Sequence, residues 1–101
     1  NVIEPIMQKI NPSIWLRIKA NLRLKTNHVR VGGMHTDVGN YGHTTSIFYV
    51  NSNDGCTTFE NGDTYKSVEN RLITFPSHLR HAGSSPSNTK TRFVINFNYF
   101  Q

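Results

Sequence analysis

The sequence predicts a mainly β chain, an antiparallel sandwich or jelly roll preceded by a short helix, and three observations predict it. Ten positions from Leu16 to Lys25 alternate apolar and polar without a break. Five further short runs of strand-forming residues follow at near-regular spacing, separated by turn-forming Gly, Asn and Asp. The 101 residues, 36% hydrophobic and 17% charged, suffice to close one core but not two.

At the N-terminal end, Val2, Ile3, Ile6, Met7 and Ile10 recur at helical spacing. Asn11-Pro12 ends the pattern, because a residue before proline is pushed out of the α region. In the segment that follows, Leu16, Ile18, Ala20, Leu22 and Leu24 oppose Arg17, Lys19, Asn21, Arg23 and Lys25. Only an extended backbone gathers the apolar set on one side. Strand-like runs are then expected around Val29 to Val31, Thr44 to Val50, Cys56 to Glu60, Arg71 to Phe75 and Arg92 to Phe100. Asn53-Asp54-Gly55 reads as a turn, and Asn61-Gly62-Asp63 as a hairpin turn of the two-residue Asn-Gly kind. No internal repeat or low-complexity tract is present.

Composition excludes several classes of protein. No apolar run approaches the roughly 20 residues of a membrane-spanning helix, and no secretory signal opens the chain. The single Cys56 rules out an internal disulfide framework and a cysteine-based zinc knuckle, and leads us to expect a small buried hydrophobe in a reducing, intracellular setting. A formal charge of +5 favours anionic partners without naming one.

Of the five histidines, His35 is the informative one, in His35-Thr36-Asp37. Residues two apart in an extended segment project to the same side, so an imidazole and a carboxylate can approach one metal ion from adjacent corners. His81, beyond Phe75-Pro76-Ser77, is the leading third ligand; two His and one carboxylate are the ligand set of non-heme Fe(II) oxygenases. The tripeptide alone is a weak signal. In the last run, Arg92, Val94, Asn96 and Asn98 share one side, and Phe93, Ile95, Phe97 and Tyr99 the other, which must be core. The first side faces either solvent or a polar cavity, and spacing does not decide between them. In a cavity Arg92 needs an anion, and its planar fork suits a carboxylate, to which the Tyr49 hydroxyl can also donate. Asn96 is a candidate partner of a ligand-bound water or the co-substrate, and Asn98 of the Asp37 carboxylate. His28, His43 and His78 read as loop or strand-end residues.

In order along the chain, His35-Thr36-Asp37, Ile47-Phe48-Tyr49-Val50-Asn51, Asn70 to Ser77 leading to His81-Ala82-Gly83, and Arg92 eleven residues after His81 resemble the 2-oxoglutarate and Fe(II)-dependent dioxygenases. The resemblance is strongest to the prolyl 4-hydroxylase-like branch, with its small phage and bacterial members, and covers about Leu16 to Phe100. It implies a double-stranded β-helix with His35, Asp37 and His81 as catalytic iron ligands. Arg92 would pair with the distal carboxylate of 2-oxoglutarate, and Tyr49 would assist it. The implied cofactors are Fe(II), 2-oxoglutarate as co-substrate and O2, with ascorbate as a reductant. The implied reaction is oxidative decarboxylation of 2-oxoglutarate to succinate coupled to hydroxylation of a C-H bond. A peptidyl proline, another side chain or a small molecule all stay open as substrate.

Two departures matter. The nucleic-acid demethylase branch carries a second arginine six residues after the first, where this chain has Asn98, so repair of alkylated bases is not favoured. The N-terminal structure usual in the family exceeds what 1–13 can supply, and the chain begins at Asn1 rather than Met. We therefore expect residues 1–101 to be a single domain, the C-terminal catalytic core of a longer cytoplasmic protein.

A second class of function starts from the basic residues. Arg17, Lys19, Arg23 and Lys25 share one side of a strand, with Arg30 beyond. At ~3.3 Å per residue they form a stripe of about 26 Å, long enough to follow several phosphates. The alternative is thus a non-enzymatic basic jelly-roll module that binds nucleic acid or serves a structural role.

Overall fold

The computed structural model describes residues 2–39 and 41–101. One helix, α1 (Ile3–Ile10), precedes seven strands: β1 (Ile14–Leu24), β2 (Thr44–Tyr49), β3 (Cys56–Phe59), β4 (Thr64–Lys66), β5 (Leu72–Pro76), β6 (His81–Gly83) and β7 (Thr91–Phe100). They form a four-stranded sheet in the order β1-β7-β2-β5 and a three-stranded sheet in the order β4-β3-β6, with every pairing antiparallel.

Helix α1 ends as its sequence dictates. Asn11 takes the left-handed conformation (φ 45°) and donates its backbone N-H to the Met7 carbonyl at 2.8 Å; Pro12 then cannot continue the helix. Ile3, Ile6, Met7 and Ile10 lie over the outer face of the larger sheet, against a cluster that includes Phe48, Ile95, Phe97 and Tyr99. The aromatic side of β7 is therefore core, as its alternation requires, and the helix is its cover.

Strand β1 departs from simple alternation at its start. Trp15 pairs with Tyr99 and Arg17 with Asn98, so Leu16 is an extra residue, a β-bulge. Without it Trp15 and Arg17 would share a side. With it, Trp15 packs edge-on to Tyr99 on the helix side, ring centroids 5.5 Å apart, while Arg17 turns to the opposite face. Beyond the bulge, residues directly opposite in the ladder share a face. Ile18, Ala20 and Leu22 oppose Phe97, Ile95 and Phe93 on the outer side; Arg17, Lys19, Asn21 and Arg23 oppose Asn98, Asn96, Val94 and Arg92 on the inner side.

The inner face closes on the smaller sheet through Ile47, Tyr49, Phe59, Phe75 and Val94. Phe59 sits edge-on to Phe75 with centroids 4.8 Å apart, joining the two sheets at one end. The other end stays open, and there the polar residues of β1 and β7 meet β3 and β6.

Two expectations need correction. Around Val29 to Val31 there is no strand, only an isolated bridge from Val31 to Ser84. Gly32 still donates its N-H to the Gly83 carbonyl at 2.9 Å, but beyond it Gly33 brings no side chain to pack and pairing lapses until His35. The hairpin between β3 and β4 has three residues, Glu60 to Gly62, between Phe59 and its partner Asp63, not two. Phe59 accepts from the Gly62 N-H at 2.9 Å and donates to Asp63 at 2.8 Å, with Gly62 at φ +95°, a turn followed by a glycine bulge.

Candidate metal centre

His35 and His81 lie on segments that pair through a single antiparallel bridge. The His35 N-H donates to the His81 carbonyl at 2.9 Å, and the His81 N-H donates back at 3.0 Å. Such a pair sends both side chains to the same face. The two imidazoles accordingly stand 4.9 Å apart, centroid to centroid. Asp37, two residues on, reaches the same face. Its Oδ1 is 3.3 Å from His35 Nε2 and its Oδ2 is 3.5 Å from His81 Nε2.

This donor set fits a divalent transition metal. At about 2.1 Å per ligand bond, neighbouring corners of an octahedron lie roughly 3.0 Å apart. The two Asp37 to His separations, one from each carboxylate oxygen, are somewhat longer than that, and one donor atom from each of the three residues falls within 4.8 Å of the others. Ring orientation agrees. His35 Nδ1 is 2.9 Å from the Gly33 carbonyl and His81 Nδ1 is 3.3 Å from the Leu79 carbonyl. A carbonyl only accepts, so in the neutral rings the proton sits on Nδ1 and Nε2 presents its lone pair. Burial pushes the Asp37 pKa up, but when the two rings are protonated instead of binding metal, the hydrogen bond from His81, the His81 and His35 charges and the Asn96 amide outweigh it. The carboxyl is held below the ordinary carboxylate range.

Asn96 Nδ2 donates to Asp37 Oδ2 at 3.0 Å, so it is Asn96 that steadies the carboxylate. Asn98, expected in that role, instead accepts from Thr45 Oγ1 at 2.8 Å and lies 3.3 Å from His43 Nε2. Both asparagines face inward, and only the depth along β7 separates them. His43 is a strand-end residue, just before β2, but a buried one. Cys56, at the start of β3, is only partly buried.

The triad opens into a cavity of about 390 Å³ between the sheets, and Arg92 lines the same cavity. Arg92, Val94 and Asn96 on the inner side of β7 thus line a cavity, while Asn98 does not. Arg92 is 3% exposed, and its hydrogen bonds go to neutral acceptors: Nε to Ser67 Oγ at 2.8 Å, NH2 to Thr57 Oγ1 at 3.0 Å and NH1 to the Ser84 carbonyl at 3.5 Å. Among the described residues no carboxylate lies in ion-pair range of it. Burial draws its pKa down; the cation of Arg23 acts the same way, partly offset by Tyr49 and Cys56. A charge this buried and unpaired is costly unless a ligand supplies the anion.

Tyr49 is fully buried beneath this guanidinium, whose carbon stands 5.6 Å from the ring centroid. Its hydroxyl donates to Thr57 Oγ1 at 2.7 Å. Thr57, which sequence reasoning missed, therefore accepts from both Tyr49 and Arg92. Both lone pairs are then engaged, which leaves its own O-H as a donor beside the cavity it lines. Ser67 was missed as well. The alternation within Cys56-Thr57-Thr58-Phe59, which puts Thr57 on the side of the core residue Phe59, was the available signal for Thr57; nothing local marks Ser67.

Glycines make room for the arginine. A Cβ on Gly55 would stand 2.5 Å from Arg92 Cδ and 2.7 Å from Asn53 Oδ1; one on Gly83 would stand 3.1 Å from Arg92 NH1. The basic residues of β1 belong to this cavity too: Arg17, Lys19 and Arg23 line its mouth.

No family model matches the chain, and no curated protein matches it. Solved structures do. A protein from Neisseria meningitidis superposes with a TM-score of 0.58 at 17% identity over 87% of this chain and 82% of its own. A cupin protein from Bacteroides fragilis gives 0.62 at 8% identity, covering 82% of this chain and 64% of that one. The Fe(II) form of HppE in complex with substrate gives 0.58 at 12% identity, over 87% of this chain and 52% of HppE. Identities this low show the fold alone: the chain is a jelly roll of the cupin type.

Proposed function

We propose that the chain is a 2-oxoglutarate and Fe(II)-dependent oxygenase similar to the prolyl 4-hydroxylase-like branch. One observation carries the reading. A two-histidine, one-carboxylate set converges on one point of a cavity that also holds a buried guanidinium with no carboxylate of its own. That combination is built for a metal and an organic acid together.

His35, Asp37 and His81, which line the cavity together, would hold the iron. The chemistry that bound iron supplies is O2 activation: 2-oxoglutarate, O2 and a C-H bond give succinate, CO2 and a C-OH group. The chain's own part is geometric and electrostatic. Gly33 and Leu79 carbonyls fix the histidine tautomers, and Asn96 holds the carboxylate in place. Arg92, fixed by Ser67 and Thr57 and backed by Tyr49, grips the distal carboxylate of the keto acid, with the Thr57 hydroxyl as a further donor. Among the described residues Asp37 is the one carboxylate lining the cavity, so the arginine end has no competing acid.

The test is succinate formation from 2-oxoglutarate without added substrate. Slow turnover that needs Fe(II) and stops with chelator is expected. Succinate formation indifferent to chelator, or none at saturating Fe(II), would contradict the reading.

A further inference from the structure

Four cations line the cavity against one carboxylate, and the surplus is not randomly placed. Along the inner face of β1 the order is Arg17, Lys19, Asn21, Arg23. Arg23 stands directly opposite Arg92, so it belongs to the same end as the proposed 2-oxoglutarate carboxylate. Lys19 stands directly opposite Asn96, the residue that bonds Asp37, and Arg17 lies one inward position further on. Arg17 NH2 points at the Asp37 backbone carbonyl at 3.5 Å, so this guanidinium reaches the rim of the triad. At ~3.3 Å per residue, Lys19 and Arg23 are about 13 Å apart, more than a five-carbon diacid spans.

Neither cation of the far pair has an acidic partner among the described residues. We propose that Arg17 and Lys19 form a clamp for an anionic group of the substrate that is hydroxylated, a small molecule carrying a phosphate or a carboxylate. The substrate role of that anion rests on the oxygenase reading of the same cavity. Two features favour a small molecule over a nucleic-acid strand. The clamp faces inward, into a volume of ordinary small-molecule size. The opposite face of β1, where a strand crossing the edge would also have to lie, presents exposed Leu22 and Leu24. A phosphate offers up to three oxygens to the pair and a carboxylate two, and both are recognised by the same fork-and-point geometry.

The test is a nuclear magnetic resonance titration of the metal-free chain with inorganic phosphate and, separately, with citrate, reading the amides of 17–21. Saturable shifts with at least one probe are expected there. The double variant Arg17→Gln, Lys19→Gln should weaken that probe about tenfold. Arg23→Gln should change the same reading by less than about twofold. Both cations are exposed, so a melting curve verifies that each variant is folded. Shifts confined to the surroundings of Arg92, an unaltered affinity in the double variant, or no saturation by either probe would overturn the clamp. So would a single-stranded 12-nucleotide DNA that binds over a hundredfold tighter than phosphate with steep salt dependence, which would assign the stripe to a polymer. The titration contains neither iron nor 2-oxoglutarate. Anion binding without Fe(II)-dependent succinate formation removes the oxygenase and keeps the anion site; the reverse removes the clamp alone.

Discussion

His35 and His81 exchange both backbone hydrogen bonds across one isolated antiparallel bridge, at 2.9 and 3.0 Å. Forty-six positions of sequence separation thereby collapse into one side-chain face, and Asp37 joins it because it stands two residues from His35. The candidate metal centre is thus a consequence of strand pairing. Positions 35 and 81 are held by main chain, so substitutions of the proposed ligands should spare the fold and abolish metal binding.

Asp37→Ala is the sharpest of these. It removes the carboxylate that both Nε2 atoms face, and iron-dependent succinate formation should fall to the level of an iron-free blank. Metal content after dialysis against Fe(II) checks it; stoichiometric iron with robust turnover would take Asp37 out of the site.

Asn96→Ala leaves the three ligands in place but frees Asp37 Oδ2. Metal affinity should drop about 10- to 100-fold, the usual cost of losing a partner behind a ligand. Competition with a calibrated chelator measures it. Asn98→Ala, whose contacts are Thr45 and His43, should leave metal affinity within about twofold.

Arg92→Met separates stability from binding. Without a ligand, replacing a buried unpaired cation by an apolar side chain should leave the melting temperature unchanged or raise it. With 2-oxoglutarate at a hundred times its Kd, the wild-type chain should gain about 2.7 kcal/mol. The variant should gain almost nothing, because its affinity is expected to fall about 100-fold. An equal ligand-induced rise in both proteins would show that another cation holds the acid.

Gly55→Ala should act on the same contact without touching a charge. Its Cβ would stand 2.5 Å from Arg92 Cδ, far inside normal contact, so the guanidinium must shift. A loss of about 1–3 kcal/mol in urea unfolding is expected, with weakened 2-oxoglutarate binding. Unchanged values for both would mean that the arginine has room to move.

The acid limb of stability should carry a mark of Asp54. The Ser87 hydroxyl and backbone N-H bond its carboxylate, the Asn88 N-H adds to them, and its pKa is lowered. A folded pKa below the unfolded one adds stability that is present above the ordinary Asp value, roughly 3.9, and is lost as pH falls through the folded pKa. Asp54→Asn should therefore lower the melting temperature at pH 7, and the gap from wild type should narrow toward pH 2. A gap independent of pH would point to lost geometry and not lost charge.

Much of this architecture was legible because alternation survives in single strands. The β1 and β7 patterns placed Ile18 and Phe97 on one side and Arg17 and Arg92 on the other, and the ladder keeps both assignments. Alternation has no memory of depth, however. Asn96 and Asn98 have the same parity, so alternation alone did not tell which one reaches Asp37; the fold gives that contact to Asn96 and sets Asn98 against Thr45 and His43. Nor does alternation say whether a polar face meets water or a second sheet. That depends on Phe59 and Phe75 joining the sheets across the interior, a contact between residues sixteen apart. The Leu16 bulge escaped for the opposite reason: leucine suits the local pattern, and only the demand of Trp15 for the helix side reveals the extra residue.

The most direct test of the central claim is an anaerobic titration of the chain with Fe(II) and 2-oxoglutarate, followed by visible absorption. A weak charge-transfer band that saturates at one equivalent of each, and is absent when either is omitted or when Asp37 is replaced by Ala, is the predicted result. A featureless spectrum at saturating concentrations, or a band that persists in Asp37→Ala, would contradict it.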